Sequence, residues 1–392
     1  MILLTETRPR EDIARLDDAW AAPESFAFLP ARGAHSRAWV EQAVAQLPAA
    51  LARDHFALLT SGSTGRPKLV VGRKARADAL ARALHDLQDL DACAATVLAL
   101  PLPYCFAFVN QWRWARALGR RLTPTAGFAE PDALRTALAD ARDAMLCLVG
   151  AQMPLLEGLA GAAAYPGVTR VNFAGGRFPQ EKLGRLRDLV PAARVFNNYG
   201  CAEAMPRLAL RDAGAADEAA IIGPPLPGVR LRAVDAQRLE FQSPYGAVGF
   251  VTDDGFRAVS DDDWIPTGDL AEPLPGGAWR LLGREGEVFK RYGEKIALPD
   301  LLAAARAVHP GEAAAFRERD PAGEEGYVLV LAPAPAPAAV RAVLGVFRDR
   351  FPRTHWPLRI EARDDLPRLA NGKIDTPALK STPGPVLWKQ HL

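Results

Sequence analysis

The sequence predicts an α/β protein. It has a large N-terminal domain with mostly parallel sheets and a small β subdomain, followed by a small α+β C-terminal domain. Two observations support this prediction. Between residues 56 and 200, short apolar runs alternate with segments of helical periodicity, which is the pattern of strands joined by crossover helices. Several apolar runs end in glycine-rich turns, and ligands of parallel sheets bind beyond the carboxyl ends of the strands.

Apolar periodicity gives the order of elements in the first half of the chain. Residues 1–55 have helical signals, which are clearest at 36–51. The predicted strands are short apolar runs at 56–59, 69–71, 96–100, 144–149, 168–173 and 194–197. The predicted helices have apolar residues three or four positions apart and lie at 74–90, 106–118, 131–141, 154–159 and 179–190.

The pattern changes near residue 221, where short β-like runs are separated by Pro, Gly and Asp. We expect a β subdomain at 221–283, inside an N-terminal domain of residues 1–283. Its predicted strands lie near 229–234, 247–252 and 279–282. A charged, glycine-containing break at 283–287 is the candidate hinge to a C-terminal domain of residues 284–392. That domain has predicted helices at 298–308 and 340–351, predicted strands at 325–331 and 358–361, and a stiff Ala-Pro connection at 332–337.

Composition excludes several classes of protein. The 392 residues are 49% hydrophobic and 24% charged, which is ordinary for a globular chain with two or three domains. A net charge of +2, with no basic stripe, gives no reason to expect nucleic-acid binding. No apolar run approaches the roughly 18 residues of a membrane span, and the first four residues are too short an apolar run for a signal peptide.

Cysteine and histidine usage predicts a cytoplasmic protein without a metal cluster. The four cysteines lie far apart in apolar settings, so we expect buried free thiols in a reducing compartment: Cys93, Cys105, Cys147 and Cys201. The six histidines have no metal-ligand spacing with cysteine or with each other.

A nine-residue loop between two predicted strands is the strongest candidate for a binding site. It reads Thr60-Ser61-Gly62-Ser63-Thr64-Gly65-Arg66-Pro67-Lys68. Its glycines allow tight turns, its backbone N–H groups and hydroxyls can surround a phosphate, and Lys68 adds a positive charge. It matches neither G-x-x-x-x-G-K-[ST] nor G-x-G-x-x-G. The alternative is a flexible polar surface loop.

Three later segments have matching chemistry, although the first alone is equally typical of a turn and each of the other two alone is more typical of one. Asn198-Tyr199-Gly200-Cys201-Ala202-Glu203-Ala204 offers an aromatic ring for a base and a carboxylate for Mg²⁺. Thr267-Gly268-Asp269-Leu270 offers a carboxylate for ribose hydroxyls. Asn371-Gly372-Lys373 offers a cation.

The order of these segments along the chain is more specific than any one of them. Thr60–Lys68, Gly175-Gly176, Tyr199–Glu203, Asp269, Gly283-Arg284 and Asn371-Gly372-Lys373 resemble the ordered motifs of the adenylate-forming superfamily. This superfamily includes acyl-CoA and aryl-CoA synthetases, carrier-protein-loading adenylation domains and luciferases. The resemblance covers about residues 56–376.

The resemblance implies a role for each matching residue. The residues that would hold the ATP β- and γ-phosphates are Thr60, Ser61, Gly62, Ser63, Thr64, Gly65 and Lys68. Those around the adenine would be Gly175, Gly176, Asn198, Tyr199 and Gly200. Asp269 would bind the ribose with support from Arg284, Glu203 would bind Mg²⁺, and Lys373 would reach the carboxylate and the α-phosphate. Lys290 and Gly293 would belong to the segment for the thiol step.

The implied function is that of an AMP-forming ligase. It would activate an aromatic or acyl carboxylic acid with ATP and Mg²⁺, then pass the acyl group to a thiol of CoA or of carrier-protein phosphopantetheine while the small domain rotates. The acyl pocket would use the largely apolar residues Tyr104, Phe106, Phe173, Cys201 and Met205, with Phe108 nearby. Two alternatives stay open: an adenylate passed to a nitrogen nucleophile, and a non-catalytic nucleotide-binding protein.

Three departures from the family pattern affect these expectations. The phosphate loop begins near residue 60, so the N-terminal lobe is expected to be shortened, and homodimerisation would cover the face it leaves. Ala202 stands where the family usually has Thr or Ser, which removes a hydroxyl contact to phosphate. Gly286 aligns with the usual hinge aspartate, and glycine still permits rotation.

Overall fold

The computed structural model describes residues 1–31, 36–61, 67–160, 164–176, 180–214, 220–235, 237–368 and 374–390. The chain divides into two compact units. The first comprises Met1–Thr267 and Glu272–Leu281, and the second comprises Gly268–Ala271 and Leu282–Leu392. Each unit is described here by itself, and the domain boundary near residue 283 stays a prediction.

The strands are short and continue through both units. In chain order they are β1 Ile2–Thr5, β2 Phe26–Leu29, β3 His55–Ser61, β4 Pro67–Arg73, β5 Ala95–Val97, β6 Arg121–Thr123, β7 Ala144–Val149, β8 Val168–Ala174, β9 Arg194–Tyr199, β10 Ala209–Asp212, β11 Ile221–Gly223, β12 Arg230–Val234, β13 Arg238–Gln242, β14 Gly249–Thr252, β15 Gly255–Ala258, β16 Ile265–Pro273, β17 Trp279–Arg284, β18 Val288–Arg291, β19 Glu294–Ala297, β20 Glu312–Arg319, β21 Glu325–Ala332, β22 Arg359–Ala362 and β23 Val386–Lys389.

The helices alternate with these strands, and within the described residues none has both the length and the apolar character needed to cross a bilayer. In chain order they are α1 Pro9–Ala21, α2 Arg37–Ala45, α3 Lys74–Leu87, α4 Cys105–Ala107, α5 Trp114–Ala117, α6 Pro131–Ala139, α7 Met153–Ala160, α8 Leu183–Leu189, α9 Leu298–Arg306, α10 Pro337–Arg350 and α11 Thr376–Ser381. A π-helical segment, Phe108–Arg113, joins α4 to α5.

The first unit contains two six-stranded sheets. The first sheet has the order β1-β2-β3-β4-β14-β15, with parallel pairing from β1 to β3 and antiparallel pairing beyond. The second sheet has the order β10-β9-β8-β7-β5-β6 and is parallel except at β10. The predicted α/β class with parallel-containing sheets is confirmed.

Helices cover both faces of the second sheet. On one face, leucines of α6, α7 and α8 pack against alternate residues of β7 and β8, such as Leu148 and Phe173. The other face packs against α3, α5 and the ring of Phe106, where β7 contributes Met145 and Cys147. This alternation follows from the two-residue period of a strand, so neighbouring β7 residues belong to opposite cores.

The first unit also has a buried lysine that donates hydrogen bonds to the carbonyl groups at the C-terminal end of a helix. Helix α1 has no basic residue in its last turn. The Lys74 ammonium, from the start of α3, donates to the carbonyl oxygens of Ala19 at 2.9 Å and Ala22 at 2.6 Å, with longer contacts to those of Trp20 and Glu24. Because last-turn carbonyls have no partner within a helix, this lysine satisfies acceptors that would otherwise be buried and unpaired.

Three smaller sheets lie in the described residues of the later part of the chain. The third sheet has the order β11-β17-β16-β13-β12, and β18 and β19 form a hairpin. The C-terminal sheet of the second unit has the order β20-β21-β22-β23, and its core joins α9 and α10 to β21.

Several sequence-based elements need correction. Residues 1–55 contain two strands, β1 and β2, as well as helices, because four-residue strands have too few alternations to be recognised. The predicted 36–51 helix ends at Ala45, before Pro48. Strand β14, expected in the β subdomain, pairs instead with β4 of the first sheet. The four cysteines are free as expected, but Cys105 and Cys201 are only half-buried.

We predict that Lys74→Met lowers the free energy of unfolding by about 2–4 kcal/mol, because it leaves buried carbonyls of α1 without a donor. Urea unfolding at neutral pH measures the change. The control is Lys389→Met, which removes an exposed lysine of β23, and it should shift stability by no more than about 0.5 kcal/mol. Equal stability of the two variants would contradict the capping role.

Candidate active site

An ion pair joins the strand after the phosphate loop to the turn after β9. The ammonium of Lys68, in β4, lies 2.6 Å from Oε1 of Glu203. The two side chains are only 23% and 18% exposed, so water screens the pair weakly. The structure thus brings together two candidate residues that are 135 positions apart in the sequence.

The backbone fixes this pair from several sides. Glu203 lies in a 3₁₀ turn, Ala202–Ala204, directly after β9 and Gly200. Its carbonyl oxygen accepts a hydrogen bond of 2.9 Å from the N–H of Ala247, just before β14. Strand β14 also pairs with β4, and its Phe250 ring lies 5.3 Å from the Lys68 ammonium. The hydrogen bond from Ala247 and the pairing of β14 with β4 therefore position both the Glu203 carboxylate and the Lys68 ammonium.

The pKa of Glu203 results from opposing effects. Burial, the largest effect, raises it. The charge of Lys68 and its hydrogen bond, together with hydrogen bonds from the Glu203 backbone and the Cys201 side chain, lower it by more in sum. The pKa therefore lies below its ordinary value, and Glu203 is an ionised carboxylate at neutral pH.

Two glycines at this site leave no room for a side chain, one because of backbone atoms and one because of neighbouring side chains. A Cβ on Gly200 would lie 1.9 Å from the carbonyl oxygen of Pro206, so only glycine allows this turn. A Cβ on Gly72, in β4, would lie 2.6 Å from the Phe56 ring and 2.8 Å from Cε of Met205. Both glycines let the segment after Glu203 fold closely against its surroundings.

The carboxyl ends of β8 and β9 hold the residues expected around the adenine. Nδ2 of Asn198 donates to Oδ1 of Asn172 at 2.9 Å and to the carbonyl oxygen of Phe173 at 3.0 Å, which ties the two strand ends together. Tyr199 ends β9 and is 9% exposed. Gly175 and Gly176 follow β8, and Gly175 has a φ of 80°, in the left-handed region that favours glycine.

Part of the predicted acyl pocket comes together. Phe106 is 9% exposed, and the Cys105 sulfur lies 3.8 Å from that of Met205. Phe173 does not join them, because it faces the core of α6, α7 and α8 on the opposite side of the second sheet. Tyr104 is 37% exposed.

The sequence analysis missed one residue in this region. Arg207 is 1% exposed, and its guanidinium carbon lies 4.4 Å from the centre of the Phe106 ring. Its Nε and Nη2 atoms are buried without a hydrogen-bond partner in the described chain. An arginine between Pro206 and an apolar run is the only local signal, and such a signal does not predict burial.

The second unit contains a separate group of candidate residues. The Nε atom of Arg284 lies 2.9 Å from Oδ1 of Asp269, whose side chain is 8% exposed. Gly268, with a φ of 76°, turns the chain just before Asp269. Lys290 and Gly293 belong to the β18–β19 hairpin, and Gly293 lies at its turn with a φ of 83°.

Some predicted residues lie outside the described residues: Gly62, Ser63, Thr64, Gly65 and Lys373. Thr60 and Ser61 end β3, where Thr60 is paired with Lys68. Among the residues that the structure describes, no three His, Cys, Asp or Glu side chains form a metal cluster. The roles assigned to individual site residues stay predictions.

The lysine–glutamate pair thus lies beside glycine-rich strand ends of a mixed α/β fold. The sequence profile of the family described as "AMP-binding enzyme" matches residues 6–251. The chain therefore belongs to the AMP-binding enzyme family, and the resemblance seen in its ordered motifs is confirmed.

Two curated relatives illustrate the range of this family. The chain is 30% identical over 239 residues to 2-succinylbenzoate–CoA ligase of Salmonella typhimurium, covering 61% of this chain and 49% of that protein. It is 24% identical over 356 residues to delta-poly-L-ornithine synthetase of Acinetobacter baumannii, covering 84% of this chain and 26% of that protein. The chain thus spans less than half the length of these relatives.

Solved structures share the fold at low identity. The o-succinylbenzoate CoA synthetase MenE of Bacillus subtilis, in complex with the acyl-adenylate intermediate OSB-AMP, has a TM-score of 0.77 and 16% identity, covering 100% of this chain and 89% of that one. ATP-bound MatB from Rhodopseudomonas palustris has a TM-score of 0.70 and 20% identity, covering 97% and 78%.

We predict that Lys68→Met and Glu203→Gln show a coupling of about 1–3 kcal/mol in a double-mutant cycle of unfolding at pH 7. The folded-state pKa of Glu203 lies below its unfolded value, so this stabilisation is complete above the unfolded pKa. It is lost as pH falls through the folded pKa, and the coupling should decrease below about pH 4.

The control for this cycle is the pair Arg37–Glu41, whose side chains are 77% and 52% exposed on α2. Its coupling should stay below about 0.5 kcal/mol. A coupling between Lys68 and Glu203 that is equally small, or that does not change with pH, would contradict the geometry described here.

Proposed function

We propose that this chain activates a carboxylic acid with ATP, forming an acyl-adenylate and pyrophosphate, and then passes the acyl group to a thiol. In the first step a carboxylate oxygen attacks the α-phosphorus, and the bond from that phosphorus to the pyrophosphate oxygen breaks. In the second step a thiol sulfur attacks the acyl carbon and AMP leaves.

The observation that most supports this proposal is the ion pair between Lys68 and Glu203, at 2.6 Å, in a chain of the AMP-binding family. Phosphoryl transfer of this kind depends on positioned charges more than on covalent chemistry. The pair keeps a cation next to the predicted phosphate loop and keeps a carboxylate ionised. An ion pair that served only stability would not have to lie beside a glycine-rich loop.

The family resemblance implies Mg²⁺, and Glu203 fits that ion. Mg²⁺ commonly takes one or two protein carboxylates plus phosphate oxygens, so a full cluster of protein ligands is not required. When bound, the ion would neutralise phosphate charge. Glu203 would hold it, and Lys68 would then exchange its carboxylate partner for a phosphate oxygen of the nucleotide.

The paired residues Asp269 and Arg284 suit a ribose. The guanidinium lies 2.9 Å from the carboxylate, whose oxygens are acceptors for hydroxyl groups. Lys373, from the resemblance, would supply the cation at the carboxylate and the α-phosphate. The positions of the reacting groups would therefore depend on side chains from several separate motifs.

The relatives support two acceptors. The 2-succinylbenzoate ligase is named as a CoA ligase, whereas isonitrile lipopeptide synthase of Streptomyces coeruleorubidus, 34% identical over 238 residues, is named as a synthase of peptides. The alignment with the ligase covers 61% of this chain and 49% of the ligase. The alignment with the synthase covers 56% of this chain and 16% of the synthase. We therefore propose CoA or a carrier-protein phosphopantetheine as acceptor, with self-association left as a prediction.

The first test is pyrophosphate release from ATP and Mg²⁺ across aryl, fatty and amino acids. We expect release with one class of acid, and Lys373→Ala should lower its rate on the order of 10²–10³-fold, because a cation at the transferring phosphoryl group is lost. The control is Lys380→Ala, an exposed lysine on α11 of the same unit, which should keep the wild-type rate.

Silence with every acid, while ATP still binds, would contradict this function and favour a non-catalytic nucleotide-binding protein. If release occurs, adding CoA or a phosphopantetheine-bearing carrier protein identifies the acceptor by thioester formation. An adenylate consumed only by amines would favour the nitrogen nucleophile.

A second prediction concerns Ala202, beside Glu203 in the 3₁₀ turn. Ala202→Thr should raise the rate of pyrophosphate release roughly 3- to 10-fold, because the hydroxyl adds one hydrogen bond to phosphate. Ala202→Val has nearly the same shape without a hydroxyl and serves as the control. A similar rate for all three proteins would contradict the expected phosphate contact.

A further inference from the structure

Among the arginines of the described residues, Arg207 alone has two side-chain nitrogens that are buried without a hydrogen-bond partner. Arg207 is 1% exposed, and the two unpaired nitrogens are Nε and Nη2. Arginine is rarely buried without a partner, because an unpaired charge away from water is costly. An unpaired buried guanidinium either destabilises the protein without functional benefit or serves to bind an anion.

The two unpaired nitrogens lie on the same edge of the planar guanidinium, with nearly parallel N–H bonds. This edge suits a carboxylate. The chain uses it in this way elsewhere: Nε and Nη2 of Arg113 lie 3.0 and 2.6 Å from Oδ1 of Asp78, and those of Arg232 lie 2.9 and 2.7 Å from Oε2 of Glu240. On Arg207 the same edge has no carboxylate.

Among the residues that the structure describes, none offers an anion to this edge. Burial raises the pKa of the Cys105 thiol and that of the Cys147 thiol to about 12, so both groups are neutral at pH 7. Glu203 is already paired with Lys68. The Phe106 ring covers a face of the guanidinium and stabilises its charge, but a ring face leaves the N–H groups on the edge unpaired.

Burial also lowers the pKa of Arg207 to about 9, but the group still has its charge at pH 7. Its neighbour Phe106 is among the residues predicted for the acyl pocket, and so is Met205, two positions earlier in the chain. The unpaired charge therefore lies where an acid substrate is expected, and it differs from the apolar character of those residues.

We infer that Arg207 binds a carboxylate of the substrate other than the one that is activated, so that the preferred substrates are dicarboxylic acids. The reacting carboxylate is a poor candidate, because two charge-assisted hydrogen bonds would withdraw electron density from the nucleophilic oxygen. A second carboxylate does not react, so hydrogen bonds from Arg207 to it do not weaken the nucleophile. The edge is closed to water, so an acid reaches it only after a neighbouring side chain moves.

This inference rests on the proposed function and deepens it by naming the class of acid. The test compares acids that differ only in a second carboxylate: benzoate with benzene-1,3-dicarboxylate, and hexanoate with hexanedioate. Pyrophosphate release gives kcat and KM for the wild type, Arg207→Met, Arg207→Lys and the control Arg232→Met, which removes an arginine of the third sheet.

We expect the wild type to prefer the dicarboxylate of at least one pair. Arg207→Met should lower kcat/KM for that acid roughly 10²–10³-fold, mainly through KM, and should leave the monocarboxylate within a few-fold. Arg207→Lys should be intermediate, because lysine restores the charge without the two-pronged edge. Arg232→Met should keep the wild-type preference.

Thermal unfolding gives a readout that does not need turnover. The preferred dicarboxylate should raise the Tm of the wild type but not that of Arg207→Met, and Arg207→Met without ligand should be no less stable than the wild type. If Arg207→Met does not fold, Arg207→Lys decides the question with both readouts.

Two failures are distinguishable. If the wild type releases pyrophosphate without preferring any dicarboxylate, or if Arg207→Met keeps the preference, the inference is wrong and the proposed function stands. If no acid releases pyrophosphate, the proposed function is wrong, and the Tm shift alone decides whether Arg207 binds a carboxylate. A wild-type Tm unchanged by either dicarboxylate would then overturn the inference as well.

Discussion

The ion pair between Lys68 and Glu203 is the interaction on which the geometry of the candidate site depends. Lys68 lies in the first sheet, and Glu203 follows a strand of the second. The hydrogen bond from Ala247 to Glu203 continues into β14, which pairs with the strand of Lys68. The two six-stranded sheets of the first unit are therefore joined at the point where Lys68 of β4 meets the turn after β9.

Two other buried cations in the same unit illustrate opposite outcomes. Lys74 donates to backbone carbonyls at the end of α1, so its charge is used by the fold. Arg207 has two nitrogens without a partner in the described chain, and only an aromatic ring lies against its face. Because unpaired burial is costly, the first residue is explained by stability and the second by a ligand.

The candidate acyl region is decided by the faces of the second sheet. Phe173 is paired with Leu148 and shares its face, whereas Cys147 points to the other face, because successive residues of a strand point in opposite directions. Phe106, from α4, packs on the face of Cys147. Apolar character alone made all of them look equivalent in the sequence. The charge of Arg207 gives this region a polarity that a list of aromatic residues does not suggest.

The sequence by itself determined the fold class, the family and the order of the motifs, because glycine turns, hydroxyls and charged residues at fixed spacing are local chemistry. It predicted Lys68 and Glu203 individually. Only the tertiary structure decided that they pair, that β14 joins the first sheet, and that Arg207 is buried. These features depend on contacts between residues far apart in the chain, and neither propensity nor spacing reports which distant groups meet.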